Sequence, residues 1–180
     1  SRDLCALDVI PELVAGGLDS FKIEGRTRSV YYLSQVVRAY RMAIDAVAAG
    51  NPVPEESRRA IRFVDGRGFM PGFLRGPLPQ NYEATHVDAE GGCVAAQIKD
   101  FDESTGAYLV NVKNPFSMDD ALELMTPDGM QPCEVEELMD FRGAAADRLN
   151  PGTEGRVFLS KNDCKSGKNV KFGFFVKHSK

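Results

Sequence analysis

The sequence has few of the residues from which metal sites and disulfide scaffolds are usually built. Its 180 residues include two histidines and four cysteines, and no two cysteines form a Cys-x-x-Cys pair. This pattern argues against a zinc ribbon, a histidine-based metal site and a disulfide-stabilised fold. Widely spaced, unpaired cysteines instead favour a reducing environment, and we expect a cytoplasmic protein.

Long apolar segments are missing as well. No run approaches the ~20 residues that a membrane-spanning helix needs, so we expect no membrane span. The first five residues, Ser1 to Cys5, are charged and lack the apolar core of a signal peptide. They also begin in the middle of a pattern without an initiator methionine, so we expect the chain to be a fragment of a longer protein or a processed piece.

Charge is distributed unevenly along the chain. Residues 1–80 contain 11 basic and 9 acidic residues, residues 81–155 contain 4 and 16, and residues 156–180 contain 7 and 1. The acidic middle argues against a broad nucleic-acid-binding surface in that segment. The basic end, with Lys165, Lys168 and Lys171, is the better candidate for contacting nucleic acid, and a solvated surface that only improves solubility is the alternative.

The first 80 residues predict a helix, a strand and a long second helix. Asp8 to Ala15 has the pattern of a short helix, with Asp8 as N-cap and Pro11 in the first turn. Leu18 to Ile23 predicts a strand. The long helix begins after the N-cap Ser29 and ends at Gly50. Its apolar stripe is predicted to contain Val30, Leu33, Val37, Tyr40, Ile44 and Val47. A further helix over residues 55–64 and a glycine- and proline-rich loop over residues 65–79 follow.

From residue 92 the pattern changes to short strands separated by turns. The predicted strands cover residues 93–98, 108–112, 122–125, 132–138, 156–159 and 170–176. Six strands at intervals of ~8–12 residues predict a small antiparallel β-barrel or a sandwich, and we expect the barrel. The fold class is therefore α+β. Residues 1–80 form the end of an α/β domain with its linker, and residues 81–180 form the barrel.

Four charged residues lie close together from the end of the predicted strand to the start of the long helix: Lys22, Glu24, Arg26 and Arg28. On a strand the first three share one face, ~6–7 Å apart. Strand ends of this kind carry ligand groups in α/β folds. Lys22 and Arg26 are thus candidates for holding an anion, and Glu24 for orienting one of them or acting as a base. A ladder of internal ion pairs is the alternative.

Motifs of one family run almost continuously through the first 50 residues. They are S-R-D-L-C at 1–5, I-P-E-L at 10–13, G-x-D-S-F-K-I-E-G-R at 17–26, S-V-Y-Y at 29–32 and V-x-A-Y-R at 37–41, followed by R-G-F at 67–69, D-E-S-T-G at 102–106 and T-P-D-G at 126–129. Together they resemble peptidase family U32, the collagenase-like proteins.

The resemblance implies a fold and a cofactor. Residues 1–80 would be the C-terminal end of a catalytic TIM-like barrel whose upstream part is the partner of this chain, and the β-barrel would be an accessory domain similar to domain 2 of translation factors. Relatives that hydroxylate ubiquinone bind a [4Fe-4S] cluster through four cysteines. Cys5 matches the last of these ligands, so three further ligands would lie upstream and the chain alone would hold no cluster. A buried free cysteine is the alternative for Cys5.

The resemblance also implies three functional hypotheses. The first is an iron–sulfur-dependent enzyme that hydroxylates tRNA uridine or rRNA cytidine, in which Arg28 and the C-terminal lysines contact the RNA. The second is a collagenase-like peptidase, as the family is named, although no histidine lies near Ser20, Ser29 or Ser34 in sequence and the zinc-protease motif H-E-x-x-H is absent. The third is a non-catalytic β-barrel interaction module. We expect the 180-residue chain to be inactive alone.

Overall fold

The helices lie in the first half of the chain and most of the strands in the second half, in two units. The computed structural model describes residues 2–64, 68–77, 92–160 and 170–178. Unit 1 is Ser1–Glu90 and unit 2 is Gly91–Lys180. In this part of the chain, no helix is long and apolar enough to cross a bilayer.

Unit 1 places its helices between two short strands. In chain order its elements are β1 (Asp3–Leu4), a 3₁₀ turn (Leu7–Val9), α1 (Ile10–Ala15), α2 (Val30–Ala48), α3 (Glu55–Arg62) and β2 (Phe69–Met70). The two strands pair in parallel, and the N–H of Cys5 donates to the carbonyl oxygen of Met70 at 2.8 Å. This pairing fixes the N-terminal segment against the end of the helical region.

Helix α2 begins as predicted but buries a different face. The Ser29 side chain accepts a hydrogen bond from the N–H of Tyr32 at 3.1 Å, which confirms the N-cap. Val30 and Val37 of the predicted stripe are 57% and 50% exposed. The buried face instead consists of Gln35, Val36, Ala39 and Ala43. Alanines add little to a hydrophobic pattern, yet they let neighbouring helices approach closely, and this explains the rotation of the face.

The start of α1 also differs from the prediction. Pro11 lies in the first turn as expected, but Val9 is the N-cap residue and makes no side-chain cap. Asp8 lies inside the 3₁₀ turn, and its carboxylate oxygen is 2.9 Å from Nε of Arg58. The Asp8 side chain therefore pairs with α3 and does not cap α1.

The strand predicted for Leu18 to Ile23 is wrong. Residues 18–25 are all described, and none of them belongs to a strand. The segment runs as an irregular loop into a turn in which the N–H of Arg28 donates to the carbonyl oxygen of Gly25 at 2.9 Å. A strand needs a neighbour for its backbone groups. In the described part of unit 1 the only ladder is the two-residue pairing of β1 with β2, so the end of a TIM-like barrel is not shown.

Unit 2 is built on a curled antiparallel sheet. Its strands are β3 (Gly92–Asp102), β4 (Ala107–Val112), β5 (Phe116–Ser117), β6 (Leu122–Thr126), β7 (Gly129–Cys133), β8 (Val135–Asp140), β9 (Arg148–Leu149), β10 (Glu154–Leu159) and β11 (Phe174–His178). The main sheet has the order β7-β6-β11-β3-β4-β10-β8, and β5 pairs with β9 separately. Because β7 and β8 stand at the two ends of this order without pairing, the described residues form a curled sheet, and closure into the predicted barrel is not shown.

Aromatic and aliphatic side chains from the central strands form the core of unit 2. The Tyr108 ring lies 4.8 Å from the Phe101 ring and meets the Phe175 ring edge-on at 5.6 Å, measured between centroids. Tyr108 and Phe175 are fully buried, as is Ile98. Full burial of a large apolar side chain contributes roughly 1.5–3 kcal/mol, so these contacts hold β3, β4 and β11 together. The last strand begins at Phe174, later than predicted, because the residues before it form a turn.

Candidate functional site

A cavity of about 670 Å³ lies within unit 1. Its wall includes every residue from Ser20 to Arg28, together with Asp3 and Cys5 from the N-terminal segment and Tyr32 and Tyr40 from α2. The loop that replaces the predicted strand therefore faces Cys5 across one cavity. The structure thus brings the charged stretch 22–28 and the candidate cofactor ligand to the same place.

Arg28 and Asp3 form a largely buried ion pair in the wall of this cavity. Nη2 of Arg28 donates to both carboxylate oxygens of Asp3, and the two side chains are 26% and 16% exposed. The hydroxyl of Tyr32 donates to Oδ2 of Asp3 at 2.9 Å, and the guanidinium carbon of Arg28 lies 4.8 Å from the centre of the Tyr32 ring. These contacts satisfy the carboxylate and fix the guanidinium over an aromatic face.

Tyr32 remains protonated in this arrangement over the whole neutral range. Burial, followed by the hydrogen bond to Asp3, raises the pKa of the Tyr32 hydroxyl to about 12. A neutral hydroxyl can donate to the carboxylate, whereas a phenolate could only repel it. Tyr32 thus acts as a permanent hydrogen-bond donor in the wall of the cavity.

Tyr40 holds the segment that carries Cys5. Its hydroxyl accepts a hydrogen bond from the N–H of Ala6 at 2.7 Å and points as a donor toward Sγ of Cys5, 3.9 Å away. Burial raises the pKa of Tyr40, and the neighbouring Cys5 acts in the same direction. The Tyr40 proton is therefore retained and available to the sulfur. Cys5 itself is half-buried.

Lys22, Glu24 and Arg26 line the cavity without sharing a strand face. Nζ of Lys22 lies 3.2 Å from Oε2 of Glu24, and the two side chains are 85% and 70% exposed. Arg26 is exposed in the turn that follows. Because these groups are solvated, no burial penalty demands a ligand for them. Their assignment as catalytic residues stays a prediction.

The other predicted nucleic-acid contacts lie in unit 2 or are not described. Lys171 is exposed, with Nζ 3.7 Å from Oδ2 of Asp100. Lys165 and Lys168 lie outside the described residues. The predicted contact Arg28 belongs to the ion pair with Asp3 in unit 1. The structure therefore does not show the four predicted nucleic-acid contacts on a common surface.

The described residues do not by themselves fit an iron–sulfur cluster. A [4Fe-4S] cluster takes four thiolates, and no group of three or more histidine, cysteine, aspartate or glutamate side chains within the described ranges is placed to hold a metal ion. Cys93 and Cys133 belong to unit 2, and Cys164 lies outside the described residues. Cys5 could therefore serve only as one ligand among several supplied from elsewhere.

Asp3, Tyr32 and Tyr40 line the cavity but are not among the site residues predicted from the sequence. Tyr32, Val36 and Tyr40 recur at intervals of four, which places them on one face of a helix, and all three line the cavity. That spacing was the signal available for the two tyrosines. Asp3 offered none, because its partner lies 25 positions away in the sequence.

The fold and the cavity together define a two-part protein, with a helical unit that carries the site and a sheet unit that follows it. The sequence matches the family described as peptidase family U32 over residues 1–84 and its C-terminal domain over residues 93–170. The chain belongs to peptidase family U32, which confirms the family predicted from the motifs.

Several relatives have names that refer to tRNA. The chain is 34% identical to tRNA hydroxylation protein P of Escherichia coli over 168 residues, which cover 88% of this chain and 35% of that protein. It is also 34% identical to tRNA hydroxylation protein P of Haemophilus influenzae over 150 residues, covering 82% of this chain and 33% of the relative. The chain thus spans about a third of the length of these two relatives.

Two further similarities come from differently named proteins. A collagenase of Porphyromonas gingivalis is 35% identical over 78 residues, which cover 42% of this chain and 22% of that protein. Among solved structures, the C-terminal domain of a U32-family protein of Geobacillus thermoleovorans superimposes with a TM-score of 0.39 at 19% identity, covering 48% of this chain and 92% of that domain.

Proposed function

We propose that this chain is the C-terminal part of an enzyme that hydroxylates tRNA, and that unit 1 supplies one wall of its active site. The observation that carries the proposal is the 34% identity to tRNA hydroxylation protein P over 88% of the chain. The cavity of unit 1 supports it, because a pocket with a few convergent polar groups is the usual form of a small-molecule or cofactor site. The names of the relatives favour tRNA over rRNA as the substrate.

In this proposal the charged residues of the loop 20–28 have different roles. Lys22 and Arg26, at the solvated rim of the cavity, bind an anionic group such as a phosphate or a carboxylate. Glu24 orients Lys22, with which it already pairs at 3.2 Å, or accepts a proton. Arg28 holds Asp3 and thereby fixes the wall behind them.

Cys5 would be one ligand of a [4Fe-4S] cluster whose other three ligands lie in the preceding part of a longer protein. When bound, such a cluster supplies electron transfer. Two features of this chain support the assignment: Cys5 lines the cavity, and Tyr40 directs its hydroxyl toward the sulfur. Hydrogen bonds to the sulfur are one of the means by which proteins adjust iron–sulfur centres.

The test compares variants of a longer protein that includes this chain. It would be produced in a host that lacks its own hydroxylation proteins, purified without oxygen and assayed for bound iron and visible absorbance. Digested tRNA from the same cells would be analysed by mass spectrometry for hydroxylated uridine. Cys5→Ser should remove both the iron and the modified nucleoside, and Cys93→Ser should remove neither. A tRNA that lacks the modification with the unsubstituted protein present would contradict the proposed function.

The second candidate function is peptidase activity, favoured by the similarity to a collagenase over 42% of the chain. The described lining of the cavity includes Ser20 but no histidine, so a serine mechanism would need its base from outside this lining. Gelatin cleavage by the longer protein, abolished by Ser20→Ala and unaffected by Ser34→Ala, would support this function. Cleavage that does not change in Ser20→Ala would exclude a nucleophilic role for that serine.

A further inference from the structure

We propose that Phe172 of unit 2 is a stacking platform for an unpaired base of an RNA ligand, and that Lys171, which precedes it in the chain, and Lys99, which follows the Ile98 that accepts its N–H, bind the adjoining phosphates. This inference rests on the proposed function in one respect, because tRNA hydroxylation makes RNA the expected ligand. It concerns a different unit and a different contact, so it can succeed or fail separately.

Phe172 combines two unfavourable features in one side chain. Its ring is 66% exposed, although burial is favourable for a side chain of this size. Its φ angle is 69°, and it is the only residue other than glycine with a positive φ among those described. The left-handed region is unfavourable for a bulky residue, and glycine would relieve the strain. Strained, exposed positions of this kind are found at ligand-binding sites.

Backbone hydrogen bonds and buried neighbouring residues hold the Phe172 ring in its exposed position. The N–H of Phe172 donates to the carbonyl oxygen of Ile98 at 3.2 Å, and the N–H of Gly173 donates to that of Val170 at 2.8 Å. Val170 is 2% exposed, and a Cβ on Gly173 would lie 2.7 Å from the carbonyl oxygen of Met125. Both ends of the turn are therefore fixed in the core. A ring held in this way loses little conformational freedom when a base stacks on it.

The charged side chains on residues next to Phe172 in the chain and on the strand to which its N–H bonds suit one base with a short piece of backbone. Nζ of Lys171 pairs with Asp100 at 3.7 Å, and Nζ of Lys99 pairs with Glu154 at 2.5 Å. All four side chains are about half-exposed or more, so these pairs are weak and a phosphate can replace the carboxylates. Asp100 and Glu154 would repel a long run of phosphates. The surface therefore favours stacking with one or two phosphate contacts over a broad electrostatic footprint.

A protein partner fits this surface less well. Stable protein interfaces bury about 800 Å² on each side around an apolar centre. Within the described residues of unit 2, the other exposed large apolar side chains are Met118 and Phe141, which lie on different turns. Phe141 follows β8 at one end of the sheet order, whereas Phe172 precedes β11, with β10, β4 and β3 between these two strands. A single exposed ring without other exposed apolar side chains on its turn matches a nucleobase, which offers a flat face and little other apolar area.

The experiment measures binding of a short, fluorescein-labelled, single-stranded RNA to the 180-residue chain by fluorescence anisotropy at low salt. Phe172→Leu, which keeps apolar volume but removes the aromatic face, should weaken binding about 5- to 100-fold. Phe172→Tyr should bind within about twofold of the unsubstituted chain. The matched control is Phe141→Leu, since Phe141 is 63% exposed in the same unit, and it should leave the affinity unchanged.

Two further readouts locate the contact. Lys171→Ala should reduce the slope of log affinity against log salt by about 0.7, the value for one phosphate of a single strand. RNA carrying 4-thiouridine should crosslink to the peptide that contains Phe172.

Several results would contradict the proposal that Phe172 stacks on an RNA base. They are no RNA binding by the unsubstituted chain, equal losses in Phe172→Leu and Phe141→Leu, or a change in self-association in Phe172→Leu with unchanged RNA affinity. The last result would indicate a protein interface. Failure of tRNA hydroxylation with Phe172-dependent RNA binding intact would count against the proposed function alone. Normal hydroxylation without Phe172-dependent binding would count against the platform alone.

Discussion

Arg28 donates through Nη2 to both carboxylate oxygens of Asp3, which stands 25 positions earlier in the chain. This ion pair connects the turn before α2 to β1, and Tyr32 adds a second hydrogen bond to the same carboxylate. One wall of the cavity is therefore held by charges that are mostly shielded from water. The neighbouring pair of Lys22 and Glu24 is solvated, and the contrast between the two pairs yields the first prediction.

Arg28→Ala should destabilise unit 1 by about 2 kcal/mol. The value lies between the ~0–1 kcal/mol of an exposed pair and the ~3–5 kcal/mol lost when one partner of a buried pair is removed. Lys22→Ala is the matched control, because its side chain is 85% exposed and its loss should change stability by less than about 0.5 kcal/mol. Hydrogen–deuterium exchange of α2 peptides in each variant measures the effect. Equal protection in the two variants would show that the buried pair adds nothing.

Tyr32 should make the stability of unit 1 depend on alkaline pH. Burial and the bond to Asp3 raise its pKa from 10.0 to about 12. The folded state therefore holds the proton more tightly than the unfolded state, so the stabilisation is complete below pH 10 and is lost as the pH rises from 10 toward 12. Tyr32→Phe should make this part of the stability curve less steep, and Tyr40, whose pKa burial also raises, should supply the dependence that remains.

The phenolate absorbance of the tyrosines checks the same pKa directly. The folded chain should show a late-titrating component that Tyr32→Phe diminishes, and the chain in denaturant should titrate near pH 10 as a single component. A folded chain in which Tyr32→Phe changes nothing above pH 10 would contradict the assignment.

Asp102 should stabilise the β3–β4 turn down to acidic pH. Its carboxylate accepts hydrogen bonds from the hydroxyls of Ser104 and Thr105 at 2.6 and 2.8 Å and from the N–H of Ser104 at 2.9 Å. The hydroxyl bonds are the main reason that the pKa of Asp102 falls to about 2. A lowered pKa gives stability that is present above the unfolded value of about 3.9 and is lost as the pH falls through about 2. Asp102→Asn should remove this pH dependence, whereas Glu103→Gln should retain it. NMR of the turn amides as a function of pH measures both.

Phe172→Gly should raise the stability of unit 2 by about 1 kcal/mol. Glycine relieves a left-handed conformation that costs about 1–2 kcal/mol, and its greater freedom in the unfolded chain returns part of that gain. Phe172→Ala keeps the strain and should stay near the unsubstituted chain. Thermal unfolding of the three proteins measures the order. A clear loss of stability in Phe172→Gly would mean that the ring contributes to packing, and the strain would then need no functional explanation.

Local patterns predicted the elements that depend on neighbouring residues. Ser29 caps α2 through a group three residues away, and the turn at Asp102 forms between two strands by hydrogen bonds within the same few residues. The strand at Leu18 to Ile23 failed because alternation alone cannot supply a neighbouring strand. The buried face of α2 was misplaced because Ala39 and Ala43 count for little in a hydrophobic pattern and for much in close packing.

The site shows the same division between local and distant contacts. The charge cluster predicted site residues within 22–28, and the motif match predicted Cys5. Both line one cavity. The contacts around Cys5 could not be predicted from the sequence. Tyr40 is 35 positions from Cys5, and it is 34 positions from Ala6, whose N–H donates to the Tyr40 hydroxyl. The four-residue spacing of Tyr32, Val36 and Tyr40 predicts a shared helix face, but it does not predict which distant residues that face contacts.

The parallel pairing of β1 with β2 sets an order of events during synthesis. Asp3 leaves the ribosome before its strand partner Phe69, which lies 66 positions further along the chain. Chains emerge at about 5–20 residues per second, so the N-terminal segment spends seconds without the ladder that fixes it. Cys5, whose N–H bonds to Met70, must remain unanchored on that side for the same interval. The backbone contact that fixes Cys5 on that side therefore forms only after α2 and α3 have been made.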